Sequence, residues 1–241
     1  MKEIQPNPSN FCSKIDLTIP LVGFYDAPDP SAFDPLVRPE PGDCVFAFYK
    51  KWAEGKTLHI TRAHYGCGGA GRWMCGVETR SREDFISFLV DGEGLKTSHE
   101  LMEKWIDASQ QYKATHRHIL IGPLKEDQWA YAKSITFFAN PDQLGSLAYG
   151  AQYNSAPDDP PPVVAPFGSG CMQLLPFDDL NIPQASIGST DIAMCQHIPP
   201  DVIAFTVTKS LFKQLCELDE RSFLYKPFLK NLREARGLPG Q

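Results

Sequence analysis

Two periods of apolar and polar residues run through the chain. Residues 57–61 alternate with period two, and 57–61, 118–121 and 133–139 predict strands. The runs 17–25, 163–165, 172–175, 185–188 and 202–207 predict further strands, and Pro20 pushes the first of them toward a sheet edge. Helical spacing takes over elsewhere. Residues 44–54 predict a helix ended by Gly55, with Cys44, Ala47, Phe48 and Lys51 on one face. Residues 82–90 predict a short helix closed by Gly92 or Gly94. Thr97-Ser-His-Glu100 has the spacing of a capping box, and Leu101, Trp105, Ile106 and Ser109 follow it at helical spacing. Asn140-Pro-Asp-Gln143 has the order of an N-cap, a first-turn proline and a first-turn acid. Residues 208–217 bury Leu211, Phe212, Leu215 and Cys216, and a last amphipathic helix runs from near Pro227 to Arg236, with Gly237 beyond it. Strands and helices do not alternate cleanly. The expected class is α/β of the α+β kind, a mixed and largely antiparallel sheet with helices packed on it.

Prolines gather at 28–41 and in a loop at about 155–166, both expected to be extended and exposed. Strands resume directly after the second cluster, so residues 1–241 are expected to form one domain, and no internal repeat is visible. A chain of 241 residues can bury a substantial core. Its net charge of −6 argues against a nucleic-acid binder, and the basic residues of 226–236 are interleaved with leucines, as on a solvated helix face. No apolar run approaches the roughly 18 residues of a membrane span. The first six residues lack an apolar signal core, so no membrane association and a cytoplasmic location are expected. The seven cysteines, at 12, 44, 67, 75, 171, 195 and 216, are odd in number and scattered, the pattern of thiols and not of a disulfide framework.

Candidate chemistry centres on His64-Tyr-Gly-Cys-Gly-Gly-Ala-Gly-Arg-Trp-Met-Cys-Gly76. Five glycines in thirteen residues point to a loop where bare backbone is needed. Gly66-Cys-Gly-Gly-Ala-Gly71 satisfies G-x-G-x-x-G. However, Arg62-Ala-His-Tyr separates it from the preceding strand, and Glu83 or Asp84 would be a badly placed ribose partner. A general anion cradle of backbone N–H groups fits better than a dinucleotide site, and a structural turn packed under Trp73 is the bland alternative. Phe167-Gly-Ser-Gly-Cys171 and Ile187-Gly-Ser-Thr-Asp191 are two more small-residue loops. No hydrolase or P-loop signature is present.

Three functions compete. In the first, a small-molecule ligand or cofactor with an anionic group binds among these loops and the helix start at 141–143. Its lining is His64, Gly66, Gly68, Gly69, Asn140, Gln143, Gly170, Cys171 and Ser189, and Cys67 is the reactive group at the centre, the residue that would be catalytic in an enzyme. In the second, Cys44, Cys67, Cys171 and Cys195 hold a metal or an iron–sulfur group. There Cys195-Gln-His197 would place sulfur and imidazole on one side of an extended segment. In the third, the proline-rich loop is the contact surface of a non-enzymatic interaction module. The identity of the ligand, catalysis and homo-oligomer formation stay open.

Taken in order, several segments resemble the uncharacterised ArCR family, domain of unknown function 169. They are Cys44-Val-Phe-Ala-Phe-Tyr-Lys-Lys, Tyr65-Gly-Cys-Gly-Gly-Ala, Ile121-Gly-Pro-Leu124 and Ile135-Thr-Phe-Phe-Ala-Asn-Pro-Asp-Gln-Leu. Gly170-Cys171, Ala185-Ser-Ile-Gly-Ser-Thr and Ile198-Pro199 follow. Together they span most of residues 15–218. The resemblance implies a cysteine in the loop after the Ser-Ile-Gly strand, where this chain has Ser189. It implies a fold and a pocket, but no reaction.

Overall fold

The computed structural model describes residues 6–238 except 110, 111, 113, 176, 178, 189 and 190, and the side chains in that range except those of 192 and 193. Its centre is an eight-stranded sheet. The strands are β1 (Val22–Ala27), β2 (Leu36–Val37), β3 (Thr57–Ile60), β4 (His118–Pro123), β5 (Ala132–Ala139), β6 (Val163–Val164), β7 (Ala185–Ile187) and β8 (Ile203–Thr208), in the order β2-β3-β4-β1-β5-β8-β7-β6. The inner pairs are antiparallel. Only the two outermost pairs, β2 with β3 and β6 with β7, are parallel. The expected mixed, largely antiparallel sheet is therefore observed.

The strand order contains a repeat that the sequence hides. Outward from the central β1–β5 pair, the first half reads β1, β4, β3, β2 and the second reads β5, β8, β7, β6. Both halves pair antiparallel, antiparallel and parallel in that order. Because β1 and β5 are antiparallel neighbours, a pseudo-two-fold axis perpendicular to the sheet relates the halves. What lies between corresponding strands differs in length, which is why no repeat is visible in the sequence. Helices α3 (Gly68–Cys75), α4 (Arg82–Ser87) and α5 (His99–Ala108) separate β3 from β4, whereas a 3-10 helix, Ile192–His197, separates β7 from β8.

Alternation along the strands sends side chains to two separate cores. Tyr25, Ile135, Phe137, Phe205 and Val207 face one side. There they meet Phe11 of α1 (Ser9–Lys14), Leu147 and Ala151 of α6 (Pro141–Gln152), and Leu211, Phe212 and Leu215 of α7 (Lys209–Cys216). Phe24, Leu58, Ile60, Ile121 and Phe138 face the other side. There they meet Phe46 of the 3-10 turn Val45–Phe48, Trp52 of α2 (Tyr49–Ala53), Ala70, Trp73 and Met74 of α3, and Leu174 and Met194. Helix α8 (Pro227–Ala235) carries Arg233, which pairs with Asp16.

Several local expectations are corrected. The glycine-rich stretch is not a loop: from Gly68 it is helix α3, closed by Gly76 in the left-handed conformation. Packing of Ala70, Trp73 and Met74 on the sheet overrides the low helix propensity of its glycines. Residues 172–175 are no strand but the 3-10 turn Met172–Leu174. Cys44 does not lie on an apolar helix face; it is the extended N-cap of the turn Val45–Phe48. Cys195 and His197 lie on a 3-10 helix, which removes the extended geometry proposed for them. The cap of α5 is Ser98, one residue beyond the expected Thr97.

Two buried polar groups brace the first half. Asp26 is fully buried on β1 and accepts hydrogen bonds from Tyr112 Oη (2.6 Å), Thr115 N (2.6 Å) and His116 N (2.8 Å). Burial alone would raise its carboxyl. The bonds from Tyr112, Thr115 and His116 outweigh that and hold it below the usual range. His59 on β3 is 4% exposed and meets His118 Nδ1 at 2.9 Å. Burial first, then the charges of His118, Arg38 and His64, lower its pKa from 6.5 to about 4. A base depressed in the folded state is protonated first in the unfolded chain, so stability falls as pH drops from 6.5 toward 4. Over that window, wild type should lose up to about 3 kcal/mol more than His59→Gln in urea unfolding.

Candidate functional site

The repeat places four side chains in corresponding positions. Cys44 immediately precedes the 3-10 turn between β2 and β3, and Cys171 immediately precedes the turn between β6 and β7. Cys67 is the N-cap of α3, the first helix after β3, and Asp191 immediately precedes the 3-10 helix after β7. All four positions belong to connections on the face of the sheet that carries Phe24 and Phe138.

Backbone bonds draw these turns together. In the first half, Cys67 N donates to Asp43 O (2.9 Å) and Gly42 N to Gly66 O (3.1 Å), which fastens the segment before Cys44 to the segment before α3. In the second half, Gly170 N donates to the Asp191 carboxylate at 3.0 Å. Helix α3 packs on the turn that follows Cys171, so the halves meet there. Cys67 Sγ and Cys171 Sγ lie 3.8 Å and 3.4 Å from the point that a Cβ on Gly69 would occupy, and Ser169 Oγ lies 3.6 Å from it. Ser169 Oγ is 3.2 Å from Cys171 Sγ. Burial raises the Cys171 thiol strongly, and the charges of Cys67, Cys44 and Asp191 add to the effect. Burial also raises Cys44, with Cys67 and Asp191 adding their charge.

The glycines have different duties. Gly66 has φ +75°, and a Cβ there would sit 2.5 Å from Asp43 O; a backbone conformation and a backbone contact both require it. On Gly170 a Cβ would collide with Met194 and the Phe46 ring, so this glycine serves close packing. Gly69 differs: its would-be contacts are all at ordinary van der Waals distance, so no steric demand selects glycine there. Its missing methyl leaves a methyl-sized gap bordered by the two sulfurs and Ser169 Oγ. The first-turn N–H groups of α3, those of Gly68, Gly69 and Ala70, have no acceptor within the helix. Next to this seam is a cavity of about 30 Å³ lined by Phe24, Trp73, Tyr112, Cys171, Met172 and Leu175 among others, with room for a water-sized group and not for a nucleotide.

Other expected site residues are employed elsewhere. Asn140 and Gln143 form a reciprocal capping box, and Gln143 Nε2 also donates to Asp16 O at 2.8 Å. Their helix packs on the opposite face of the sheet from Cys67 and Cys171. His64 is exposed and closes a tight backbone turn with Thr61. Cys195 is exposed, with its thiol on Asp191 O at 3.4 Å. Ser189 lies outside the described residues. Among the described residues, no group of three or more His, Cys, Asp or Glu side chains is placed to hold a metal ion, and no helix is long and apolar enough to cross a membrane. Arg72 is buried between the Phe85 and Trp73 rings and has a 3.5 Å contact to Glu78. Sequence reasoning missed Ser169 and Asp191 as neighbours of the thiols, although both lie in loops that it had singled out.

Fold and site together define a class: an α/β protein built on a topologically duplicated, largely antiparallel sheet, with cysteine-bearing turns of both halves meeting on one face. A family model described as uncharacterised ArCR, domain of unknown function 169, matches residues 22–218, a span that holds all eight strands. The chain belongs to that family. Comparisons with curated proteins and with solved structures gave no match.

Proposed function

We propose that the protein binds a small ligand carrying an anionic group at the seam between the start of α3 and the 168–171 turn. The observation that carries this reading is the methyl-sized gap at Gly69, bordered by Cys67, Cys171 and Ser169 beside the start of α3. The first-turn N–H groups of α3 would take the negative group. Cys67, half-buried at the seam, is the group in position to react with the ligand. The adjoining cavity limits any buried part of the ligand to a few atoms.

Gly69→Ala separates binding from folding. The added methyl makes only ordinary contacts, and alanine favours helix over glycine by up to about 1 kcal/mol. The variant should therefore melt at or above the wild-type temperature. In a thermal-shift panel of phosphate, sulfate and short carboxylates, at least one probe should stabilise wild type and leave Gly69→Ala unmoved. No response in wild type, or an equal response in both proteins, would count against the site.

The competing reading, a soft metal or an iron–sulfur group held by Cys44, Cys67, Cys171 and Cys195, has less support, since among the described residues no group of three or more His, Cys, Asp or Glu side chains is placed to hold a metal ion. Elemental analysis of protein purified without oxygen decides between the two, since stoichiometric iron or zinc would displace the anion reading.

A further inference from the structure

We propose that Cys67 and Cys171 are a reversible dithiol–disulfide pair that, when oxidised, ties the two halves of the repeat together across the site.

The sulfurs border one point, at 3.8 Å and 3.4 Å, and the residue whose side chain would stand there is glycine. Nothing on Gly69 blocks their approach. Each thiol comes from a different half of the sheet, so the bond would close a loop of about a hundred residues, a long cross-link that strongly restricts the unfolded chain. Exposure sets the order of events: Cys67 is half-buried and within reach of an oxidant, whereas Cys171 is buried behind it. Ser169 Oγ, 3.2 Å from Cys171 Sγ, is a hydrogen-bond partner for that thiol. Other cysteines are less suited. Cys12 and Cys216 pack against the core on the far face of the sheet, away from Cys67 and Cys171, and neither Cys75 nor Cys44 supplies an atom among those nearest the point at Gly69.

The oxidant is a low-molecular-weight disulfide. The Cys67 thiolate attacks one of its sulfurs; a protein–small-molecule S–S bond forms, the original S–S bond breaks, and one small thiolate leaves. Cys171, losing its proton, then attacks Cys67 Sγ. The protein disulfide forms and a second small thiolate leaves. The protein gives up two protons and two electrons, and the small disulfide is reduced to two thiols.

The test uses the full chain equilibrated in glutathione buffers of graded potential, alkylated under denaturing conditions and mapped by peptide mass. A Cys67–Cys171 linked peptide should grow as the buffer becomes oxidising and vanish when reducing buffer is restored. Cys44→Ser should form the same link. Cys171→Ser should instead accumulate glutathione on Cys67. The proposal is overturned if wild type stops at the mixed disulfide with Cys171 still alkylated, if Cys67 links to Cys44, or if neither thiol is oxidised before the protein unfolds. No added ligand enters this test, so its outcome is independent of the anion panel.

Discussion

Asp26→Asn should destabilise the protein by about 3 kcal/mol, the order of losing charge-assisted buried hydrogen bonds and leaving a buried donor without an acceptor. The carboxylate is fully buried and holds the segment that contains Tyr112, Thr115 and His116 against β1 through three bonds no longer than 2.8 Å. Asparagine keeps one acceptor oxygen, but turns an N–H₂ toward donors that already need an acceptor. Urea unfolding should show a lower midpoint with an unchanged slope. Tyr112 also lines the cavity beside Cys171 and packs edge-on against Phe24, so the loss should reach the site. The pH response has a definite sign. Because the folded carboxyl is held below its ordinary range, its stabilising contribution is present above that range and fades only as pH falls through the depressed folded value. On acidification the His59 contribution therefore goes first.

Gly66→Ala should cost about 3 kcal/mol, in contrast to the neutral or stabilising Gly69→Ala three residues on. A left-handed backbone penalises a Cβ by roughly 1–2 kcal/mol. The added carbon would also sit 2.5 Å from Asp43 O, a backbone atom that can move only by straining the bonds Gly42 N to Gly66 O and Cys67 N to Asp43 O. Those bonds hold Cys67 beside the segment that leads to Cys44. Loss of stability should thus come with faster alkylation of the Cys44 thiol. Thermal unfolding together with alkylation rates followed by mass measures both effects.

The contrast between these two glycines shows what the sequence could reveal and what it could not. Apolar and alternating runs located the inner strands, but β1, expected near an edge because of Pro20, is central, since Pro20 precedes the strand itself; Asn140-Pro-Asp-Gln143 announced a capped helix that the structure contains. The same motif misled as a site feature, because a capping box consumes the side-chain groups that a ligand would need. Gly66-Cys-Gly-Gly-Ala-Gly71 suggested a loop where the structure has a helix from Gly68: that helix depends on long-range packing of Ala70, Trp73 and Met74, which a local pattern does not carry. Cys171 was legible as the end of a small-residue loop. Its grouping with Cys67 was expected from the small-residue loops, but the reason for it was hidden, because it follows from the strand order, and the two halves share topology without an evident sequence echo. Asp26 went unnoticed because an acid just past the expected 17–25 strand looks like an ordinary turn residue until its donors, some ninety residues away, are seen.

The most direct test asks whether Cys67 and Cys171 share one space in the folded protein. A trivalent monophenyl arsenical forms two bonds to sulfur and bridges only thiols that can approach each other. With one equivalent of phenylarsine oxide on the native full-length chain, followed by alkylation and peptide mapping, Cys67 and Cys171 should be protected together, and dithiol reagent should release them together. Protection of either one alone, or capture at Cys12 and Cys216 with Cys67 and Cys171 both alkylated, would contradict the site described here.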